Sequence, residues 1–419
     1  MHDLDQAAEP EGFGSSRMHR RNFLRLGAAS LPAIAGFGAL ANVVQAAGAA
    51  PTNLVKGHGT PITAPPAVRW LPSKTAGQKP VLPRTAAYAE TVSNSVLAEL
   101  GSDMQKACAT GGVKYLEATP NGNDALYNTE MRTYISSGKV GGLFMLDNIW
   151  AEDIFSAEAS IKAGLCQISL HDAPGHMMLT EAIYDQGYVA GQAAAAFIKK
   201  SGIKPQIIYE YVANDLSIHL RKTGTLAALK DLGLTGDLLE TLDCGEPTAA
   251  DAQKALSGAL QAHATANIII CQNDDVGAGA YAAMQAAGKT DATKYGVFSA
   301  DGSAQALSII GSGKPSIWKA TAGTFLPLYG YATGLWMVDW FNGKTIPQLT
   351  LVKPFLLDSK PVIDTWNKDL KNYVSIINAM RNGDNTYAVP LGSVSYATRG
   401  AYFNGANPGK VPKFTQAHS

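Results

Sequence analysis

The sequence predicts an α/β protein built as two doubly wound parallel-sheet lobes joined by hinge strands. Three observations point there. Short apolar strands alternate with helices of about three turns, the pattern of βαβ units. The same rhythm restarts in the second half of the chain, so there are two sets of such units. Polar residues collect just after the strands, where a doubly wound sheet binds ligands. The 419 residues are too many for one ordinary domain, and 46% apolar content is enough for a substantial core.

The chain begins with an address. Residues 17–50 run from a basic region containing Arg20-Arg21, followed by Asn22, Phe23 and Leu24, through an Ala/Gly-rich apolar stretch to Val44-Gln45-Ala46. This order of basic region, apolar region and small-residue cleavage site is that of an export signal, and the paired arginines with Phe-Leu resemble a twin-arginine signal. Pro32 and several glycines interrupt the apolar stretch, a poor fit to a permanent span. We expect a signal over 1–46, a periplasmic mature protein, and passage through the twin-arginine export machinery. Residues 47–83, rich in Pro, Gly, Thr and Ala, read as a linker or arm.

The first set of strands comprises TAAYAET (85–91), VKYLEA (113–118), GLFML (142–146) and CQISL (166–170), with helices near 96–109, 124–137 and 152–163. The second comprises QIIYEY (206–211), LLETLD (238–243), NIIIC (267–271) and GVFSA (296–300), with helices near 186–200, 217–232, 250–262 and 276–287. The tail beyond 357 contains the helical stretch DTWNKDLKNYVSIINAM and a Gly/Asn/Pro-rich end. Charge is balanced at 34 basic and 34 acidic residues, so no net field attracts nucleic acid. The four cysteines, Cys108, Cys166, Cys244 and Cys271, form no CxxC pair and read as buried core thiols rather than a zinc site. No cofactor is expected.

The strand ends supply the candidate site. Glu90 and Asn94 flank the end of the first strand, His171 and Asp172 follow CQISL, and His219 and Arg221 come shortly after QIIYEY. Asn273 follows NIIIC and Asp301 follows GVFSA. Amides, carboxylates, imidazoles and a guanidinium suit a polyhydroxyl ligand, whose hydroxyls each donate and accept. Each residue has a plainer reading beside this one. Asp274 or Asp275 caps the next helix, Asp301-Gly302 is a turn, and His219 and Arg221 are surface residues of a helix.

At CQNDDVGAGAYAAMQAAGK and VFSADGSAQALSIIGSGK the sequence resembles type I periplasmic solute-binding proteins of the ribose and galactose class, over roughly residues 84–356. The resemblance implies sugar contacts by Asn273 and Asp301, hinge closure, and delivery to the permease of an ABC transporter in the inner membrane. It also implies a first lobe of 84–184 plus about 325–350, a second of 185–324, and a C-terminal extension over 357–419. This sequence departs from the pattern in three ways. His171-Asp172 stands where Asp-Arg is usual, and His219 takes the place of a sugar-binding arginine, with Arg221 two residues on. The stacking aromatics near Asn94 are missing. Trp150, Tyr127 and Trp318 are the substitutes, each also a plausible core residue, and core is the preferred reading for Trp318. The ligand class is therefore sugar, polyol or amino sugar.

Three other functions compete with this one. An enzyme needs a constellation such as GxSxG, HExxH or a phosphate loop, and none is present. A repressor of the same fold carries a helix-turn-helix headpiece, where this chain has an export signal. A sensory binding protein that presents a signal molecule to a membrane receptor remains the alternative to transport.

Overall fold

The structure, a computed structural model, describes residues 82–391 apart from 91–94, 121–122, 146–155, 158, 171–174, 182, 214–218, 345, 348, 383 and 385. The described residues all lie within one compact unit, Ala46–Ser419.

Two sheets organise this unit. Elements are numbered in chain order. The first sheet holds β1 (Thr85–Ala89), β2 (Lys114–Ala118), β3 (Gly142–Met145), β4 (Cys166–Leu170), β5 (Met177–Glu181), β11 (Leu349–Val352) and β13 (Ala388–Leu391). Their order is β13-β11-β5-β4-β3-β1-β2. The second holds β6 (Ile207–Tyr211), β7 (Leu238–Asp243), β8 (Ile268–Cys271), β9 (Gly296–Asp301), β10 (Trp318–Gly323) and β12 (Phe355–Leu357), ordered β12-β10-β9-β8-β6-β7. Only the edge strands β13 and β12 run antiparallel to their neighbours. The connections are helical: α1 (Ser95–Thr110), α2 (Asp124–Ser136), α3 (Ile183–Ser201), α4 (His219–Asp231), α5 (Ala249–Ala262), α6 (Asp274–Ala286), α7 (Ala304–Ile310), α8 (Tyr331–Phe341), α9 (Lys360–Lys371) and α10 (Tyr373–Arg381). The two doubly wound lobes expected from the alternation are present.

Four strands absent from the apolar pattern appear at the junctions of the lobes or the sheet edges: β5, β10, β11 and β12, with β13 beyond them. In β10 the sequence WKATAG breaks its apolar run with Lys319 and Thr321. The strand forms because its backbone pairs with both β9 and β12, a gain that sequence periodicity does not report. The chain passes from the first sheet to the second after Glu181, returns through 324–330 to α8, crosses again at 353–354, and returns a last time through α9 and α10 to β13.

The cores follow from the pleat. In β6, Ile208 packs on one face of the sheet while Ile207 and Tyr209 pack on the other. Trp318 is core, with its indole Nε1 donating to Ser299 Oγ at 2.9 Å. Tyr127 is buried against Met131 and Leu143. All four cysteines are buried and free. Helix α8 is buried around its whole circumference, which requires cover on its outer side as well as its inner one.

One core group opposes the fold. Glu210 in β6 is fully buried, and neither carboxylate oxygen has a hydrogen-bond partner among the described residues. Burial raises its pKa well above the ordinary 4.5. The folded state therefore holds the proton to higher pH than the unfolded state does. Stability linked to this group is complete below about the ordinary value and falls as pH rises from there toward the folded pKa. Glu210→Gln is expected to raise stability relative to wild type at neutral and alkaline pH and to change it little near pH 4. Urea unfolding across pH checks this, and a pH-independent difference would contradict it.

Candidate functional site

The carboxyl ends of β8 and β9 lie side by side, and the site builds outward from them. Asn273 follows β8 in an extended conformation and caps α6: its Oδ1 accepts from Val276 N at 2.9 Å. This corrects the expectation that Asp274 or Asp275 is the cap. Asp274 has turned inward instead. Its Oδ1 accepts from Ser299 Oγ at 2.6 Å and Thr321 Oγ1 at 2.8 Å, and its Oδ2 from Gly302 N at 2.9 Å and Ser303 N at 2.6 Å. All four lone-pair positions of the carboxylate are used. Burial raises the Asp274 pKa, and these hydrogen bonds pull it back.

That carboxylate fixes the turn after β9. Asp301 has φ 121°, and no other described non-glycine residue has a positive φ. Such a conformation costs roughly 1–3 kcal/mol and persists only where the surroundings impose it. Here Asp274 holds the two amides that follow, and Thr324 N donates to Asp301 O at 3.0 Å. The strained backbone aims the Asp301 carboxylate at Arg221, 2.7 Å away.

Arg221 sits in the first turn of α4, pressed between lobe elements. Helices α3 and α4 approach so closely that a Cβ on Gly187 would lie 2.0 Å from Arg221 O, and one on Gly224 would lie 2.0 Å from Tyr184 O. Only glycine permits this contact, and it delivers the guanidinium to the crossing after β5. Its Nε donates to Gln186 Oε1 at 2.7 Å, Nη1 to Gln272 O at 3.1 Å, and Nη2 to Glu181 Oε2 at 2.8 Å, while Nη2 also forms an ion pair with Asp301 Oδ1 at 2.7 Å. Gln186 is held in turn by Ala322 O at 3.0 Å, and Gln272 Oε1 accepts from Val212 N at 3.0 Å. Burial pushes the Asp301 pKa well up. Arg221 acts against that shift, while Asp274, Glu181 and Asp275 reinforce it.

The pair is asymmetric. The Arg221 side chain is 4% exposed and that of Asp301 23%, so the carboxylate is the more accessible of the two. The structure thus unites Arg221 with Asp301 and places Asn273 on the adjoining strand end. His219 is the exposed first residue of α4. Glu90 follows β1 and is buried, with its N–H donating to Ala118 O. Asn94, His171, Asp172 and Trp150 lie outside the described residues. Reading the sequence missed Glu181 and Gln186, and it placed Gln272 and Asp274 at the end of β8 without assigning them to the site. The last of these stands in the quoted Asn-Asp pair, and that pairing was the available signal.

A second concavity lies at the other end of the second sheet, by the amino ends of β9 and β10. Its volume is about 750 Å³, and its walls include Phe197, Lys200, Lys294, Lys319, Leu356 and Asp358. Its cations are largely spent: Lys294 pairs with Asp291, and Lys319 donates to Ala292 O and Ser316 O. Burial lowers the Lys319 pKa to about 8. Among the described residues no group of three or more His, Cys, Asp or Glu is placed to hold a metal.

The sheet order, the repeated crossings and the strand-end site define the fold of type I periplasmic binding proteins. Residues 173–345 match the family described as periplasmic binding protein domain. A 5-methylthioribose transporter solute-binding protein from Thermotoga lettingae, in complex with 5-methylthioribose, is similar in structure with a TM-score of 0.60 at 18% identity. The similarity covers 72% of this chain and 94% of that one. A Mycobacterium smegmatis protein in complex with β-D-fucofuranose gives 0.60 at 18%, covering 73% and 99%. The Caulobacter myo-inositol binding protein gives 0.57 at 17%, covering 68% and 98%. No curated protein is similar in sequence to this chain. Among the described residues no helix is long and apolar enough to cross a membrane.

Proposed function

We propose that this chain is an exported substrate-binding protein of an ABC transporter. It takes up a sugar, polyol or amino sugar at the carboxyl ends of its strands, closes its lobes about the hinge, and presents the closed form to a permease. It is a binder and not an enzyme. The observation that carries the reading is a pair of unspent polar groups on adjacent strand ends. Asn273 uses Oδ1 as a cap and keeps its amide N–H groups for another partner. Asp301 gives Oδ1 to Arg221, and Oδ2 makes no hydrogen bond among the described residues. A donor and a charged acceptor side by side match two neighbouring hydroxyls. The sugar and inositol ligands in the complexes of similar fold support the same class, and the family matched at 173–345 supports a periplasmic location.

The ligand stabilises the closed conformation by its differential affinity for it. A thermal-shift screen of the mature protein against pentoses, hexoses, polyols and amino sugars is expected to give a specific hit, because a ligand bound only by the folded state raises its melting temperature. For that hit, Asp301→Ala is expected to weaken affinity by more than about 1 kcal/mol, roughly fivefold or more. A library without a hit on ligand-free protein, or a hit that ignores Asp301→Ala, would overturn the reading or its site.

A further inference from the structure

From the contacts of α9, α10 and Tyr387 we infer that the C-terminal extension is a brace which holds the two lobes at a restricted angle. It is the fourth passage of the chain between the sheets, and it carries side chains that grip each lobe and the crossings between them.

On the second lobe the grip is apolar. Ile363 of α9 packs so closely on Gly311, just after α7, that a Cβ there would lie 2.7 Å from Ile363 Cγ2. Over the crossings the grip is aromatic. Phe325 lies on the second crossing and Phe355 opens β12 just after the third. Tyr387 stacks on Phe325 with centroids 4.1 Å apart and planes 20° apart, and Trp366 of α9 meets Phe325 edge-on at 5.7 Å. Trp366 and Tyr387 both pack on Phe355, at 5.5 and 5.2 Å. The Tyr387 carbonyl accepts from Lys353 N at 3.0 Å, within the third crossing itself.

On the first lobe the grip is mixed, aromatic and polar, on a helix α10 whose Ile377 and Met380 are buried. Tyr373 meets Tyr331 of α8 edge-on at 5.1 Å, and its hydroxyl donates to Asp103 of α1 at 3.3 Å. Arg381 pairs with the buried Asp339 of α8. Finally β13 joins the first sheet against β11. Hinge motion requires the crossing segments to change their dihedral angles. Here two of them are packed under Trp366 and Tyr387, whose own anchors lie on opposite lobes. Any opening must break the Gly311 and Phe325 contacts or the Tyr373 and Arg381 contacts.

The test needs no ligand, so it succeeds or fails separately from the sugar-binding reading. Because the native cysteines are buried, spin labels can be placed at the exposed positions Arg132→Cys on the first lobe and Lys254→Cys on the second. Pulsed dipolar spectroscopy of the ligand-free protein is expected to give one narrow distance distribution. Adding Trp366→Ala with Tyr373→Ala is expected to broaden it and shift its mean by more than about 2 Å, the scale of a genuine rearrangement. A folded double variant with the wild-type distribution would overturn the brace. If that variant does not fold, Tyr373→Phe with Arg381→Met removes only the polar grip on the first lobe. Broadening in this milder variant supports the brace, and an unchanged distribution overturns it.

Discussion

Arg221→Met is expected to destabilise the protein by about 3–5 kcal/mol, the cost of removing one partner from a buried ion pair. The guanidinium is nearly sealed from solvent, and its loss removes the ion pairs with Glu181 and Asp301 together with the hydrogen bonds to Gln272 O and Gln186 Oε1. Removing a charge inside a closed network costs more than the pair contributed, because the remaining carboxylates stay buried. Equilibrium urea unfolding measures this. Adding Glu181→Gln to Arg221→Met is expected to recover part of the loss, since one of the two buried carboxylates that faced the guanidinium is then uncharged. A loss below about 1 kcal/mol would show that Glu181 and Asp301 find other partners.

Asp274→Ala is the second large effect. Four donors converge on this carboxylate, two hydroxyls and two backbone amides, all in a buried setting. Each orphaned buried donor costs about 1–3 kcal/mol, so a total loss of at least ~3 kcal/mol is expected even with partial relaxation. The loss is local as well as global. Without the Asp274 anchors on Gly302 and Ser303 the positive φ of Asp301 rests on the Thr324 and Arg221 contacts alone, and the turn is expected to relax toward an unstrained conformation. Affinity for whichever ligand the screen identifies should fall in parallel with stability. Ser299→Ala removes a single one of the four donors and should cost about 1 kcal/mol. A loss as large as that of Asp274→Ala would show that the Trp318–Ser299 contact, and not the carboxylate, carries the region.

The two variants report on different things. Arg221 ties the end of β5, where the chain first leaves the first lobe, to the end of β9 in the second. Its partner Asp301 is the residue expected to meet ligand. An arginine two positions from the place where a sugar-binding arginine is usual is here occupied by protein groups on all described sides. Asp274, by contrast, acts within the second lobe and sets the shape of a single turn. The resemblance pointed to Asn273 and Asp301 directly. It was silent on Asp274, which shapes one of them.

What the amino-acid sequence determined by itself is the alternation. Eight strand-like runs and their intervening helices place β1–β4 and β6–β9 within about two residues, because the inner strands, buried on both faces, write a nearly continuous apolar code that the partly exposed edge strands β2 and β7 follow only in part. The Asn-Asp and Asp-Gly pairs mark the ends of β8 and β9, because polar groups at a strand's carboxyl end are exposed to the edge where ligands sit. The tertiary structure alone decided the rest. Strands β5 and β10–β13 are either interrupted by polar residues or only three or four residues long, and they exist because neighbouring backbones are there to pair with. Arg221 reads in sequence as either a surface residue or a ligand contact. It is not a surface residue, since Gly187 and Gly224 let two helices meet and carry it inside. The extension reads as an amphipathic helix without a destination. The structure breaks it at Asn372 and lays the halves on different lobes, since the surfaces that receive Trp366 and Tyr373 are assembled from segments distant in sequence and form only when the chain has folded.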